Sequence, residues 1–304
     1  MKNQLKGTLC LLICTMIWGT AFIAQSVGME LIGPFTFQAC RCFLAVFFLF
    51  PVATLFGMRG SSFRESMRRW QDPVLIKSGL ICGGILFIAA SLQQIGLVYT
   101  DAGKAGFITA MYIVMVPFLG LFFRKKPAAN AIVSVVIAVV GLYLLSCAGV
   151  SHINIGDIFL LGGALGFAIQ ITAVDRYARS VDGLRLNCLQ CMMIAVLSVP
   201  FMCLTESVNV VNLARCWFPL AFAGILSMGV AYSLQIIGQK TVEPTAASLL
   251  MSLESVFAAL GGWLVLHESM NAREITGCAL VFSAVILSQI PMKKRSGLSR
   301  VPQE

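Results

Sequence analysis

Ten apolar runs of 19–24 residues, set apart by short polar breaks, constrain this chain more than any other feature. They are Gly7–Ser26, Phe35–Phe56, Val74–Leu97, Ala102–Phe123, Ala128–Cys147, Gly156–Val174, Leu184–Leu204, Ala214–Ile237, Pro244–Leu266 and Ala272–Ile290. A helix rising 1.5 Å per residue crosses a hydrocarbon core of about 30 Å in roughly 20 residues. Barrel strands would instead alternate over about ten residues, so the runs predict helices. With 58% hydrophobic and 12% charged residues, a soluble domain has no interior large enough to hide such runs. The expected class is an all-α polytopic membrane protein with ten transmembrane helices. Lys2 and Lys6 precede the first run as they would in a signal peptide. That run is too long for a typical signal core and nine more follow, so it is expected to stay as the first helix.

The net charge of +9 sits in the breaks rather than in one patch, which points to topology and not to nucleic acid. With the N-terminus in the cytoplasm, the inner segments hold 17 Lys and Arg: Lys2 and Lys6, four in 59–69, three in 124–126, three in 176–185, Lys240 and four in 293–300. The outer segments hold three, Lys104, Arg215 and Arg273. This bias predicts that both termini are cytoplasmic; the location expected is the cell membrane, as the cytoplasmic membrane of a prokaryote. The 11 cysteines lie mostly within apolar runs and lack zinc spacing. Cys188 and Cys191 form a CxxC on a membrane helix, where packing is the expected role.

The halves resemble one another. LQQIGLVYTDAGKA from Leu92 matches LQIIGQKTVEPTAA from Leu234, an offset of 142 that also pairs Gly141–Ser146 with Ser283–Ser288. Earlier in each half the offset is 149, pairing Gly7 with Gly156, Trp18 with Phe167, Arg41 with Gln190 and Pro51 with Pro200. The difference falls in the basic loop near Arg59–Arg69. Five helices per copy is an odd number, so the second copy enters the membrane inverted. Two inverted five-helix repeats are a transporter architecture, with the substrate site between the halves near the midplane. The divisions expected are 1–147, 148–290 and a basic tail, 291–304.

Glu254 stands out chemically. A carboxylate at bilayer depth costs about 2.5–3.5 kcal/mol on insertion scales. It lies about 15 Å from the cytoplasmic end of its helix, and Arg41 about 9 Å from the outer end of its own. In a core of about 30 Å their depths differ by about 6 Å. Their repeat mates are Tyr112 and Gln190, so each charge exists in one half only. Two readings stand open: an ion pair locking helix two to helix nine, or a contact for protons or substrate. Gln93, Gln94, Gln235 (the repeat mate of Gln93) and Gln170 offer amides to a polar substrate or to neighbouring helices. Trp18 and Tyr112 are candidates for a cavity wall or for packing. Lys104, in the run AGKAG, either reaches back to the outer interface or forms an outer gate with Asp101 or Glu268. His267, Glu268, Asp175 and Arg176 read as interfacial. Pro117, Pro200 and the glycine pairs at 83–84, 162–163 and 261–262 are places to bend or approach closely.

Several classes are disfavoured. There is no GxxxxGK[ST] run for ATP, no HExxH, no GxSxG, and only two histidines. No metal or cofactor is expected, and no catalytic role. The expected partners are a small-molecule substrate, the lipid bilayer and protons as a candidate coupling ion; no nucleic acid is expected, and the sequence sets no oligomeric state.

MIWGTAF from Met16, YTDAGKAGFITAMYIVMVP from Tyr99 and EPTAASLLMSLESVFAALGGWLVLHE from Glu243 resemble the drug/metabolite transporter superfamily in its ten-helix EamA-type branch. The resemblance spans nearly the whole chain as two EamA-type units. It implies export of small metabolites or drugs, by alternating access. It also implies a cavity built by helices one to four and six to nine, with helices five and ten at the periphery. It leaves the substrate open among amino acids, nucleosides, sugars and cationic drugs. The function expected is export of a small metabolite such as an amino acid. A multidrug exporter of lipophilic cations is the rival, and a membrane-embedded enzyme or sensor the non-transport alternative.

Overall fold

A computed structural model describes residues 2–100, 102–122, 129–146, 153–265 and 271–289. The tail expected at 291–304 lies outside the described residues. The chain is helical throughout these segments: α1 (Lys2–Leu31), α2 (Pro34–Gly57), α3 (Phe63–Arg68), α4 (Pro73–Tyr99), α5 (Ala102–Ala110), α6 (Tyr112–Phe122), α7 (Ala129–Ser146), α8 (Ile155–Tyr177), α9 (Gly183–Thr205), α10 (Val210–Arg215), α11 (Trp217–Ala221), a π-helical segment (Phe222–Ala231), α12 (Tyr232–Gln239), α13 (Pro244–Met251), α14 (Leu253–Val265) and α15 (Ala272–Gln289).

Among the described residues seven stretches are long and apolar enough to cross a membrane, and Ala129–Leu145 and Pro244–Leu260 are shorter apolar helices. The apolar surface faces outward. Phe47 is 74% exposed and Phe122 85%, an arrangement that a hydrocarbon solvent accepts and water does not.

Local chemistry sets the helix starts. Pro34, Pro73 and Pro244 open α2, α4 and α13, where a missing N–H costs nothing. Asn154 and Asp157 form a reciprocal capping box at α8, and Ser62 and Glu65 do the same at α3. The basic stretch Arg59–Arg69, expected as a loop, contains α3.

Three expected single spans carry a local irregularity while staying continuous. The fourth run is irregular at Met111, the ninth at Ser252, and the eighth passes through α11, the π-helical segment and α12. The first two irregularities leave Tyr112 and Glu254 in the opening turns of α6 and α14.

Contacts come in matched sets. α1 packs on α12 as α8 packs on α4, and α1 meets α13 and α14 as α8 meets α5 and α6. α2 lies along α9, and α7 along α15. Two of these crossings are made by glycine mates. A Cβ added to Gly7 would sit 2.9 Å from the Gly238 carbonyl oxygen, and one added to Gly156 would sit 2.8 Å from that of Gly96. At these crossings the backbones touch, so any side chain would force the helices apart. Gly141 and Gly277 make the same kind of contact between α7 and α15, at 2.8 and 2.6 Å.

Candidate functional site

Glycines also fix the two buried charges. A Cβ on Gly224 would lie 2.7 Å from the carbonyl oxygen of Arg41, and one on Gly19 would lie 2.7 Å from that of Glu254. Each charged residue is thus seated by its own backbone against a glycine of a neighbouring segment. α2 is pressed onto the π-helical segment and α1 onto α14. Both residues line one cavity.

The cavity brings together Trp18, Arg41, Gln93, Tyr112, Gln235 and Glu254 from among the residues singled out in the sequence, while Gln94 lies outside its lining. Gln170 lines it as well, beside Phe22, Gln25, Thr109, Ser227 and Tyr232. Lys104 does not. The lining comes from α1, α2, α4, α5, α6, α8, the π-helical segment, α12, α13 and α14. α7 and α15 contribute nothing, in keeping with a peripheral position. α9, expected among the cavity helices, supplies no lining side chain; its Gln190 instead accepts from Gln170 Nε2 at 3.4 Å.

Arg41 is 2% exposed and Glu254 4%. No ion pair joins them. Arg41 Nη1 donates to Gln25 Oε1 at 2.6 Å, and Tyr112 Oη donates to Glu254 Oε1 at 3.2 Å. Tyr112 and Glu254 stand 142 residues apart, the offset that the sequence comparison of the halves uses. The amides are chained: Gln235 Nε2 donates to Gln170 Oε1 at 3.2 Å, and Gln93 Nε2 to Thr109 Oγ1 at 3.3 Å. Trp18 sits edge-on to Tyr232, ring centres 4.8 Å apart. Three buried polar atoms of the lining have no hydrogen-bond partner: Trp18 Nε1, Arg41 Nε and Gln235 Oε1. Such atoms ordinarily find one. Here the lining residues hold two unsatisfied donors, one of them cationic, and one unsatisfied acceptor.

The π-helical wall is held from behind. Asn187 Nδ2 of α9 donates to the carbonyls of Met228 (2.8 Å) and Gly229 (3.0 Å) and to Ser233 Oγ (3.0 Å). The widened turns of a π-helix free carbonyls, and π-turns recur at functional sites. Sequence reasoning missed Asn187, Gln25, Thr109, Ser227 and Tyr232. The available signal was their polarity within apolar runs, which by itself does not separate a cavity wall from a helix contact.

Lys104 is paired with a residue not foreseen. Its Nζ lies 2.6 Å from Asp157 Oδ2, while Thr100 Oγ1 lies 3.3 Å from Asp157 Oδ1. The contact joins the α4–α5 connection to the start of α8 at one end of the bundle. Asp101, His267 and Glu268 lie outside the described residues. Cys188 and Cys191 are buried free thiols. Asp175, expected at the interface, is buried and pairs with Arg179 at 3.5 Å.

An uncharacterized transporter of Archaeoglobus fulgidus is 32% identical over 94% of this chain and 86% of its own length. The uncharacterized transporter YoaV of Bacillus subtilis is 24% identical, covering 96% and 99%. The threonine/homoserine exporter RhtA of Escherichia coli K12 is 27% identical over 60% of this chain and 62% of its own. A protein crystal structure shares the fold with a TM-score of 0.76 at 17% identity, covering 93% of this chain and 96% of that one. Residues 5–147 and 154–289 each match the EamA-like transporter family. The chain is a multi-pass membrane protein that belongs to the EamA-like transporter family, within the drug/metabolite transporter superfamily.

Proposed function

We propose that this transporter exports an amino acid, or a metabolite of the same zwitterionic chemistry, across the cytoplasmic membrane by alternating access, and that it is not an enzyme. The observation that carries the reading is that Arg41 and Glu254 share one cavity without pairing to each other. Two desolvated charges with only neutral partners cost several kcal/mol each. A zwitterion offsets both costs together, carboxylate toward Arg41 and ammonium toward Glu254, its side chain against Trp18 and Tyr112. Gln93 and Gln235 supply further polar contacts. The printed name of RhtA supports an amino acid and outward movement.

The architecture belongs to the same proposal: ten spans in two inverted repeats, 1–147 and 148–290, with both termini and the tail 291–304 in the cytoplasm. The two family matches and the matched contact sets support the repeat, and the 17 to 3 charge count supports the orientation. Reporter fusions after Arg179 and near Asn209 read the sidedness directly.

The test of substrate class is counterflow by the purified protein in liposomes, competed by an amino acid, its methyl ester and its deaminated acid. The free amino acid is expected to compete best. Lipophilic cations competing better, with amino acids inert, would replace this reading with cationic drug export.

Lys104 and Asp157 act in this proposal as the outer closure. Asp157→Asn is expected to keep the fold while speeding labelling of a cysteine placed at Gln93 by a membrane-impermeant thiol reagent applied from outside. Unchanged labelling would make the pair a static staple. Protons are the candidate coupling ion, with Glu254 as their carrier.

A further inference from the structure

α2 and α9 meet at both ends, and the two ends are finished differently. At one end the Glu206 carboxylate, at the close of α9, caps the start of α2. It accepts from Phe35 N at 2.7 Å, Thr36 N at 2.8 Å and Thr36 Oγ1 at 2.6 Å. The repeat offset of 149 maps Glu206 onto Gly57 and Thr36 onto Arg185. At the other end, then, the carboxylate is gone and a guanidinium has entered.

Arg185 is 2% exposed and is the largest fully buried side chain among the described residues. Its Nη2 donates to Ser66 Oγ at 2.9 Å, and its Cζ lies 5.5 Å from the centre of the Trp70 ring. Its one carboxylate neighbour, Asp182, is 3.8 Å away and half exposed, and already accepts from Arg185 N. Arg185 Nε has no partner. This side chain lines a second cleft with Arg69, Arg179, Ser180, Asp72 and Asp182. Asp72 caps α4 by accepting from Val74 N, and Arg179 shares Asp175 at 3.5 Å. Lys240 reaches the rim, where its Nζ donates to the Val181 carbonyl at 2.9 Å. Three arginines therefore converge on a cleft with two carboxylates, Asp72 and Asp182, each of which already accepts from a helix-start N–H.

We propose that this cleft binds a phosphate group, presented either by the headgroup of an anionic phospholipid or as a free phosphate ion. A phosphate meets the geometry that guanidinium groups offer, two parallel N–H donors to two oxygens. It supplies to Arg185 what Glu206 supplies at the opposite end. Basic pockets between membrane helices on the cytoplasmic side hold anionic headgroups. The cleft's placement on that side uses the orientation proposed above; the phosphate site itself is independent of the transported substrate.

The experiment follows the melting temperature of the full-length protein in neutral detergent. It is titrated with inorganic phosphate, with short-chain phosphatidylglycerol and with short-chain phosphatidylcholine, at ionic strength matched by chloride. Arg185 is buried, so the variants are Arg69→Gln and Arg179→Gln, with the exposed Arg64→Gln as control. Saturable stabilisation by phosphatidylglycerol, absent with phosphatidylcholine, is expected. Each cleft variant should weaken it by about tenfold, the loss of one charged hydrogen bond, with Arg64→Gln unchanged. Stabilisation by phosphatidylglycerol alone assigns the lipid source. Stabilisation by inorganic phosphate as well assigns the free group. No saturable effect of either, or the same effect in all variants, overturns the proposal.

Discussion

Glu254→Gln is expected to lower zwitterion counterflow by about 100-fold or more while leaving the protein folded. The amide is nearly isosteric, and its carbonyl oxygen still accepts from Tyr112, so the 3.2 Å contact survives. Removing a buried charge relieves desolvation, so the melting temperature should hold or rise. What is lost is the anion facing the ammonium group. Removing one partner of a buried charge pair costs about 3–5 kcal/mol, a factor of 100 or more in binding. Tyr112→Phe removes a single hydrogen bond and should cost about tenfold or less. The same variant separates two roles for the carboxylate. If Glu254 contacts substrate, exchange at equilibrium fails. If it carries only the coupling proton, exchange persists while accumulation driven by a pH gradient is lost. Normal exchange together with normal gradient-driven transport would leave Glu254 a structural residue.

The bilayer made much of this fold legible. A chain crossing hydrocarbon must satisfy every backbone group within its own helix, so run length alone marks α1, α2, α4, α8 and α9. The irregularities were not legible. Pro117 suggested a bend, yet the helix is irregular at Met111, six residues earlier, and at Ser252 with no proline nearby. Neither Met nor Ser announces a turn by its type; at Ser252 the hydroxyl donates to the Leu249 carbonyl at 2.8 Å, a contact open to serine at any helical position. The π-helical wall is similar: Asn187, 41 residues from Met228 in sequence, holds its carbonyls. The site was readable where a residue type is expensive in a membrane. Arg41 and Glu254 stand out for that reason, and Gln93 and Gln235 through the repeat. Gln25 was hidden near a helix end, where polarity is ordinary. Lys104 was seen but its contact with Asp157 was not, since Asp157 opens a run where an acidic residue is the usual helix signal.

Arg41→Gln is expected to lower amino acid transport by roughly 10- to 100-fold, the value of one or two charged hydrogen bonds, and to abolish the preference for the free amino acid over its methyl ester. The geometry sets this expectation. Nη1 is already engaged by Gln25 at 2.6 Å, while Nε has no partner. The edge formed by Nε and Nη2 is the face that grips a carboxylate with two parallel bonds. Gly224 holds the backbone of Arg41 against the π-helical segment, so the fork does not depend on a loop for its position. Arg41→Lys should restore charge but not the fork. It is expected to recover part of the rate while discriminating poorly against the ester, since an ammonium is a point charge with no planar edge. The ester keeps the ammonium group and loses only the anion, so it isolates the contribution of Arg41 from that of Glu254. An Arg41→Gln protein that still favours the free amino acid would show that the carboxylate is read elsewhere, and a substrate with a single positive charge would then fit the cavity better.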